Sequence, residues 1–239
     1  MTDQERMRSD TTGREPAINL PWPVALLILA LIAAHAARVV TGGDPDRYAL
    51  TSFDLDAGRY AGVVTHQFVH GGWTHLMMNA AFILAFGAPV ARYLGRGLRG
   101  GLAFFAFFLL CGAGAALAYA AYAGLIGGPG PDAPGGGPWA LVGASGAASG
   151  LMAAAARLIE GRGRLGSIFG RTVMGMSISW FAINLVLGVS GLTPGAAGVP
   201  VAWQAHIFGY LCGLLLVGPL GWLAGAKLHG GPADHDNAL

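Results

Sequence analysis

Three short stretches carry side chains able to do chemistry. "GASG", residues 143–146, sets Ser145 between small neighbours. "AHIFGYLCG", residues 205–213, carries His206, with Gly209 and Gly213 following at i+3 and i+7 on the same helix face. "HLMMN", residues 75–79, carries His75 and Asn79 at i and i+4. A serine hydroxyl needs a neighbouring base to act as a nucleophile at neutral pH, and histidine can supply it. Two hydrogen-bond donors on one helix face suit a developing oxyanion. The chemistry these types point to is acyl transfer through a serine. Each stretch also has a plainer reading. Ser145 could simply pack, or bond back to a carbonyl one turn earlier. His206 could be satisfied by water at a membrane boundary, and Asn79 could serve as an interhelical hydrogen bonder.

The elements that must position these residues are membrane helices. Of the 239 residues, 54% are hydrophobic and 11% charged, against about 25% charged in an ordinary soluble domain. The twelve carboxylates are Asp3, Glu5, Asp10, Glu15, Asp44, Asp46, Asp54, Asp56, Asp132, Glu160, Asp234 and Asp236, so 57–131, 133–159 and 161–233 hold no acid. A helical crossing takes roughly 20 apolar residues. Six spans are expected, near 21–40, 74–94, 100–124, 141–159, 170–189 and 203–225. The first is too long for a cleaved signal peptide and begins Pro21-Trp22-Pro23. The predicted fold is an all-α, polytopic six-helix bundle.

This placement sharpens the serine reading. Ser145 falls in the first turn or two of span four, where unpaired backbone N–H groups and the positive end of the helix dipole favour an anion. Small residues crowd spans three and four and let helix backbones approach closely. The face made by Gly209 and Gly213 could press against span four and bring His206 to Ser145. No Asp or Glu lies in a span near either residue, so a Ser-His dyad is expected rather than a buried triad; Asp56 and Asp132 are the loop acids left to consider. Histidine, with an ordinary pKa of about 6.5, can serve as base without a carboxylate.

Cations set the orientation. Arg6, Arg8 and Arg14 precede span one; Arg92, Arg96 and Arg99 follow span two; Arg157, Arg162, Arg164 and Arg171 lie between spans four and five; Lys227 follows span six. These segments share one side, expected to be cytoplasmic, which puts both termini there in a plasma (inner) membrane. Residues 1–17 and 228–239 read as polar tails around one membrane domain, 18–227. The first external loop, about 41–73, is long enough to hold short helices of its own, and 127–138 is Gly/Pro-rich. His35, His66 and His70 are the other histidines near the spans. Cys111 and Cys212 read as small packing residues inside spans. No spacing suggests a metal site, a cofactor is not called for, and no basic patch suggests nucleic acid.

Other intramembrane chemistries fit less well. A zinc protease wants His-Glu-x-x-His on a helix, an aspartyl protease wants two span-borne Asp residues, and neither is present. Transporters normally show charged or broken helices at the midplane.

His-x-x-x-Asn, then Gly-x-Ser-Gly, then Ala-His-x-x-Gly-x-x-x-Gly, on spans two, four and six, resembles the rhomboid family of intramembrane serine proteases, over roughly residues 60–220. The phrase "HGGWTHLMMN" is similar to the family's lead into its second span. The resemblance implies hydrolysis of a peptide bond in or near the transmembrane helix of a membrane-protein substrate. It implies Ser145 as nucleophile and His206 as general base, with His75, Asn79 and the Ser145 N–H as oxyanion hole. Gly143 and Gly146 would relieve crowding at the serine, and Gly209 and Gly213 would join spans six and four. A water-filled cavity would open to the outside, and substrate would arrive laterally past span five and the 190–202 connection. Two positions depart from the pattern. Many members carry Trp-Arg in the first loop where this chain reads Ala61-Gly62, and some carry an aromatic where it reads Ser149. The loop is therefore expected to be anchored differently, and His206 to be positioned by another ring or less rigidly. The alternative is a non-proteolytic relative that binds or escorts transmembrane clients; such relatives typically lack the Ser or the His, and this chain has both.

Overall fold

Val24, Leu27, Leu31 and His35 recur at three- and four-residue intervals and make the buried stripe of the first helix, α1 (Trp22–Thr41). Pro23 suits its first turn, and Gly42, at φ 65°, ends it in the left-handed conformation that a Cβ disfavours. The computed structural model describes residues 20–126, 139–191 and 201–226. The tails 1–17 and 228–239, Lys227, the Gly/Pro-rich run with Asp132, and most of the 190–202 connection lie outside the described residues.

Five further long helices follow: α2 (Trp73–Leu94), α3 (Leu98–Ile126), α4 (Ser145–Glu160), α5 (Arg171–Ser190) and α6 (Trp203–Ala224). The molecule is an all-α polytopic bundle. Among the described residues, five helices are long and apolar enough to cross a membrane; α4 is the exception. Its 16 residues reach only about 24 Å at 1.5 Å per residue, short of a hydrocarbon core of about 30 Å. From the sequence, this span is expected to begin at 141. Instead, Ala140–Leu141 is a short strand, β2, paired antiparallel with β1 (Leu50–Thr51) of the first loop, and the helix starts at Ser145. The reason a short helix suffices is its position. It packs against α2, α3, α5 and α6, so nearly all of its surface meets protein rather than lipid.

The run of Ala and Gly in α4 makes that central place possible. A Cβ on Gly209 would collide with the Gly146 carbonyl, and one on Gly213 with the Gly150 carbonyl. The α4–α6 contact is thus backbone on backbone over two successive turns. A Cβ on Gly146 would also sit 2.9 Å from Ala115 Cβ of α3. Cys111 is buried beside Gly150, and both Cys111 and Cys212 are free thiols that pack.

The first loop carries short helical turns at Ser52–Asp56, Gly62–Thr65 and His66–Phe68. It is tied down by backbone and side-chain bonds. Gly143 N donates to His66 O at 2.9 Å, and Thr65 Oγ1 donates to Tyr48 O at 2.8 Å. His66 Nδ1 donates to Gly62 O at 2.8 Å. Gly62 stands where many relatives of the resembled family have Arg. A Cβ there would fall 2.8 Å from Leu50 Cα, against the chain leading into β1. This loop is anchored by close packing of its own backbone, and a large side chain at 62 has no room.

Candidate active site

Three of the helices that start on one end of the bundle, α2, α4 and α6, bring the candidate residues together at their first turns. Ser145 opens α4, His75 is the third residue of α2, and His206 is the fourth of α6. Three helix N-termini therefore direct partial positive charge at one spot.

Ser145 Oγ lies 2.9 Å from His206 Nε2. The other ring nitrogen, Nδ1, lies 2.7 Å from Asn184 Oδ1 of α5. The Asn184 amide is itself fixed, because its Nδ2 donates to Trp180 O at 2.9 Å. Its oxygen is left to accept, so the proton of His206 belongs on Nδ1. Nε2 then presents its lone pair to the serine hydroxyl, the protonation pattern a general base requires. Trp180 also lies beside the imidazole, with ring centroids 6.1 Å apart and planes 34° apart. It supplies the aromatic neighbour that position 149 does not. Ser149 is buried one turn below and donates to Ser145 O at 2.7 Å.

Gly143 separates the serine from α2. Its φ is 106°, and a Cβ there would lie 2.8 Å from His75 Nε2 and 3.6 Å from Asn79 Nδ2. Both donors thus border the backbone just ahead of Ser145. Asn79 Nδ2 is buried with no hydrogen-bond partner among the described residues, which is costly unless an acceptor arrives there. Gly71 N donates to His75 Nδ1 at 3.4 Å, which leaves the neutral ring's proton on Nε2, the side facing Gly143.

The family profile described as Rhomboid domain matches residues 57–223, more than half of the chain. The chain belongs to the rhomboid family. The search of curated proteins found no match. As a rhomboid protein it is an integral, multi-pass membrane protein, and the matched span contains all of the residues just described.

Of the remaining histidines, His66 and His70 are buried in the first loop of this rhomboid and His35 in α1. Burial lowers His66 to about 4. It lowers His70 to about 3, with His75 and His35 adding to the effect. His66 and His70 are therefore neutral parts of the scaffold. Asp56 is exposed, and no acid among the described residues bonds His206. Sequence reasoning missed Asn184 and Trp180. Asn184 is a buried amide in an otherwise apolar helix, which is a signal in itself. The burial of α5 gives no way to assign its face from sequence, since only Val173 and Asn184 are buried.

Proposed function

We propose that this rhomboid is an intramembrane serine endopeptidase that hydrolyses a peptide bond in or near the transmembrane helix of its substrates. The observation that carries the reading is the Ser145–His206–Asn184 row, at 2.9 and 2.7 Å. In this scheme His206 Nε2 takes the Ser145 proton as Oγ attacks the scissile carbonyl carbon. The resulting imidazolium keeps its Nδ1–H on Asn184 Oδ1. The oxyanion accepts hydrogen bonds from the Ser145 N–H, His75 Nε2 and Asn79 Nδ2, the last of which has no other partner among the described residues to give up. Collapse breaks the C–N bond, and the imidazolium gives its proton to the leaving amine. Water, deprotonated by His206, then hydrolyses the acyl-enzyme and releases Ser145. Gly143, Gly146, Gly209 and Gly213 are the supports that let these groups meet.

One feature of the bundle favours lateral access past α5. That helix buries only Val173 and Asn184, and so is the most weakly seated wall of the site. Substrate and bilayer are the expected partners. The arginines at 92–99 and 157–171, at the end of the bundle away from the site, support a cytoplasmic position for that end by the positive-inside rule. The domain then runs 18–227 with both tails cytoplasmic in the plasma membrane, and the site opens to the opposite side.

The test is labelling of the purified protein in detergent with a fluorophosphonate. Labelling at Ser145, lost in His206→Ala, supports the protease. No labelling at Ser145 favours the non-proteolytic client-binding reading.

A further inference from the structure

Arg38, on the last turn of α1, makes contacts that the dyad does not explain. Its Nη2 donates to the His70 backbone oxygen at 3.1 Å and lies 3.5 Å from His35 Nδ1. His70 precedes Gly71, whose N–H donates to His75 Nδ1. The two bonds use the two sides of a single peptide unit. In a trans peptide the C=O of residue 70 and the N–H of residue 71 point in opposite directions within one plane. Whatever holds the carbonyl toward α1 therefore aims the N–H at His75.

We infer that Arg38 is a positioning residue that fixes His75 as the Nε2–H tautomer by gripping the His70–Gly71 peptide from behind. The inference rests on the proposed role of His75 as oxyanion donor. An arginine has donors only, so it cannot accept the Gly71 N–H in place of His75, nor let the peptide flip without losing its own bond. A charged donor on the carbonyl also polarises the peptide and strengthens the N–H on its far side. The surroundings tighten the arrangement. The His70 ring stands edge-on to His75 at 5.2 Å and to His35 at 6.3 Å, and His35 packs edge-on to Trp73 at 4.7 Å. These rings fill the space around the gripped peptide. With the peptide released, Nδ1 of His75 has no assigned donor, either nitrogen can carry the proton, and the ring facing Gly143 is no longer constantly a donor.

The experiment compares Arg38→Met and Arg38→Lys with wild type, in detergent, on histidines labelled with nitrogen-15. The His75 signals are identified by their loss in His75→Gln. Wild type should show His75 as the Nε2–H tautomer alone. Arg38→Met should show a mixture and lower kcat by about 10-fold at unchanged KM, and Arg38→Lys, which keeps a cationic donor, should recover part of both. If Arg38→Met proves too unstable to purify, Arg38→Gln is read by the same two signals. A single Nε2–H tautomer and wild-type kcat in the substituted protein would overturn the inference. The tautomer signal needs no turnover. An inactive wild type with an Arg38-dependent tautomer would defeat the protease reading and leave the positioning intact.

Discussion

Asn184 Oδ1 accepts the His206 Nδ1–H at 2.7 Å, so an amide stands where a carboxylate would complete a catalytic triad. An amide fixes the ring's orientation and proton position but adds no negative charge to stabilise the imidazolium. Removing it should spoil the aim of the base while leaving the base present. Asn184→Ala is expected to lower kcat by roughly 10- to 100-fold, with KM little changed. Asn184→Asp restores an acceptor and should recover part of the loss. A kcat unchanged in Asn184→Ala would show that the ring is held by its packing on Trp180 alone.

Ser145→Ala and His206→Ala should be equally inactive, because nucleophile and base act as one unit and their losses do not add. The double variant is expected to match either single in residual rate. A double variant many-fold slower than both singles would contradict the dyad.

Asn79→Ala removes a donor that has no other partner among the described residues. His75 and the Ser145 N–H remain, so kcat should fall roughly 10- to 100-fold, at or below the low end of a lost oxyanion donor, with KM unchanged. Labelling of Ser145 should slow but persist. A raised KM at unchanged kcat would make Asn79 a substrate-binding residue, and loss of the folded protein would make it a packing residue.

Gly209→Ala tests the backbone contact. Its Cβ would meet the Gly146 carbonyl, which cannot yield without moving α4 or α6. The cost in stability is expected to be about 1–3 kcal/mol. Because His206 and Ser145 sit on the two helices, a shift of about 1 Å should lower turnover on the order of 100-fold. Wild-type activity in a fully folded Gly209→Ala protein would show that the helices can separate without disturbing the dyad.

Much of this was legible in the sequence, and for physical reasons. Acid-free apolar runs marked the helices, and the Gly209–Gly213 spacing marked a close helix face. Ser145, His206, His75 and Asn79 stood out because polar side chains in such helices are expensive. What was hidden was direction. Span four read as a full crossing, because Ala140, Leu141 and Val142 are as apolar as the helix they precede; only the pairing with Leu50–Thr51 and the positive φ of Gly143 delay its start. Asn184 was visible as a polar residue, but nothing in α5 shows which way it faces. Arg38 did not stand out in the sequence at all, since its target is a backbone carbonyl that no side-chain pattern reveals.

His66 and His70 make stability depend on pH. Their folded values, about 4 and about 3, lie below the ordinary 6.5 of the unfolded chain. Below about pH 6.5 the unfolded chain binds more protons, so stability is full above that value and declines as pH falls toward 4. The thermal midpoint in detergent should therefore drop between about pH 7.5 and about pH 5. A midpoint that holds or rises over that interval would show that these rings are not buried neutral.

The most direct measurement reconstitutes the purified protein in liposomes with a single-span reporter substrate and follows cleavage by mass spectrometry. Cleavage in or near the reporter's transmembrane helix by wild type, and none by Ser145→Ala at equal folded amount, is the predicted result. Cleavage that persists in Ser145→Ala, or a folded wild type that binds transmembrane reporters without cutting any of them, would contradict the account.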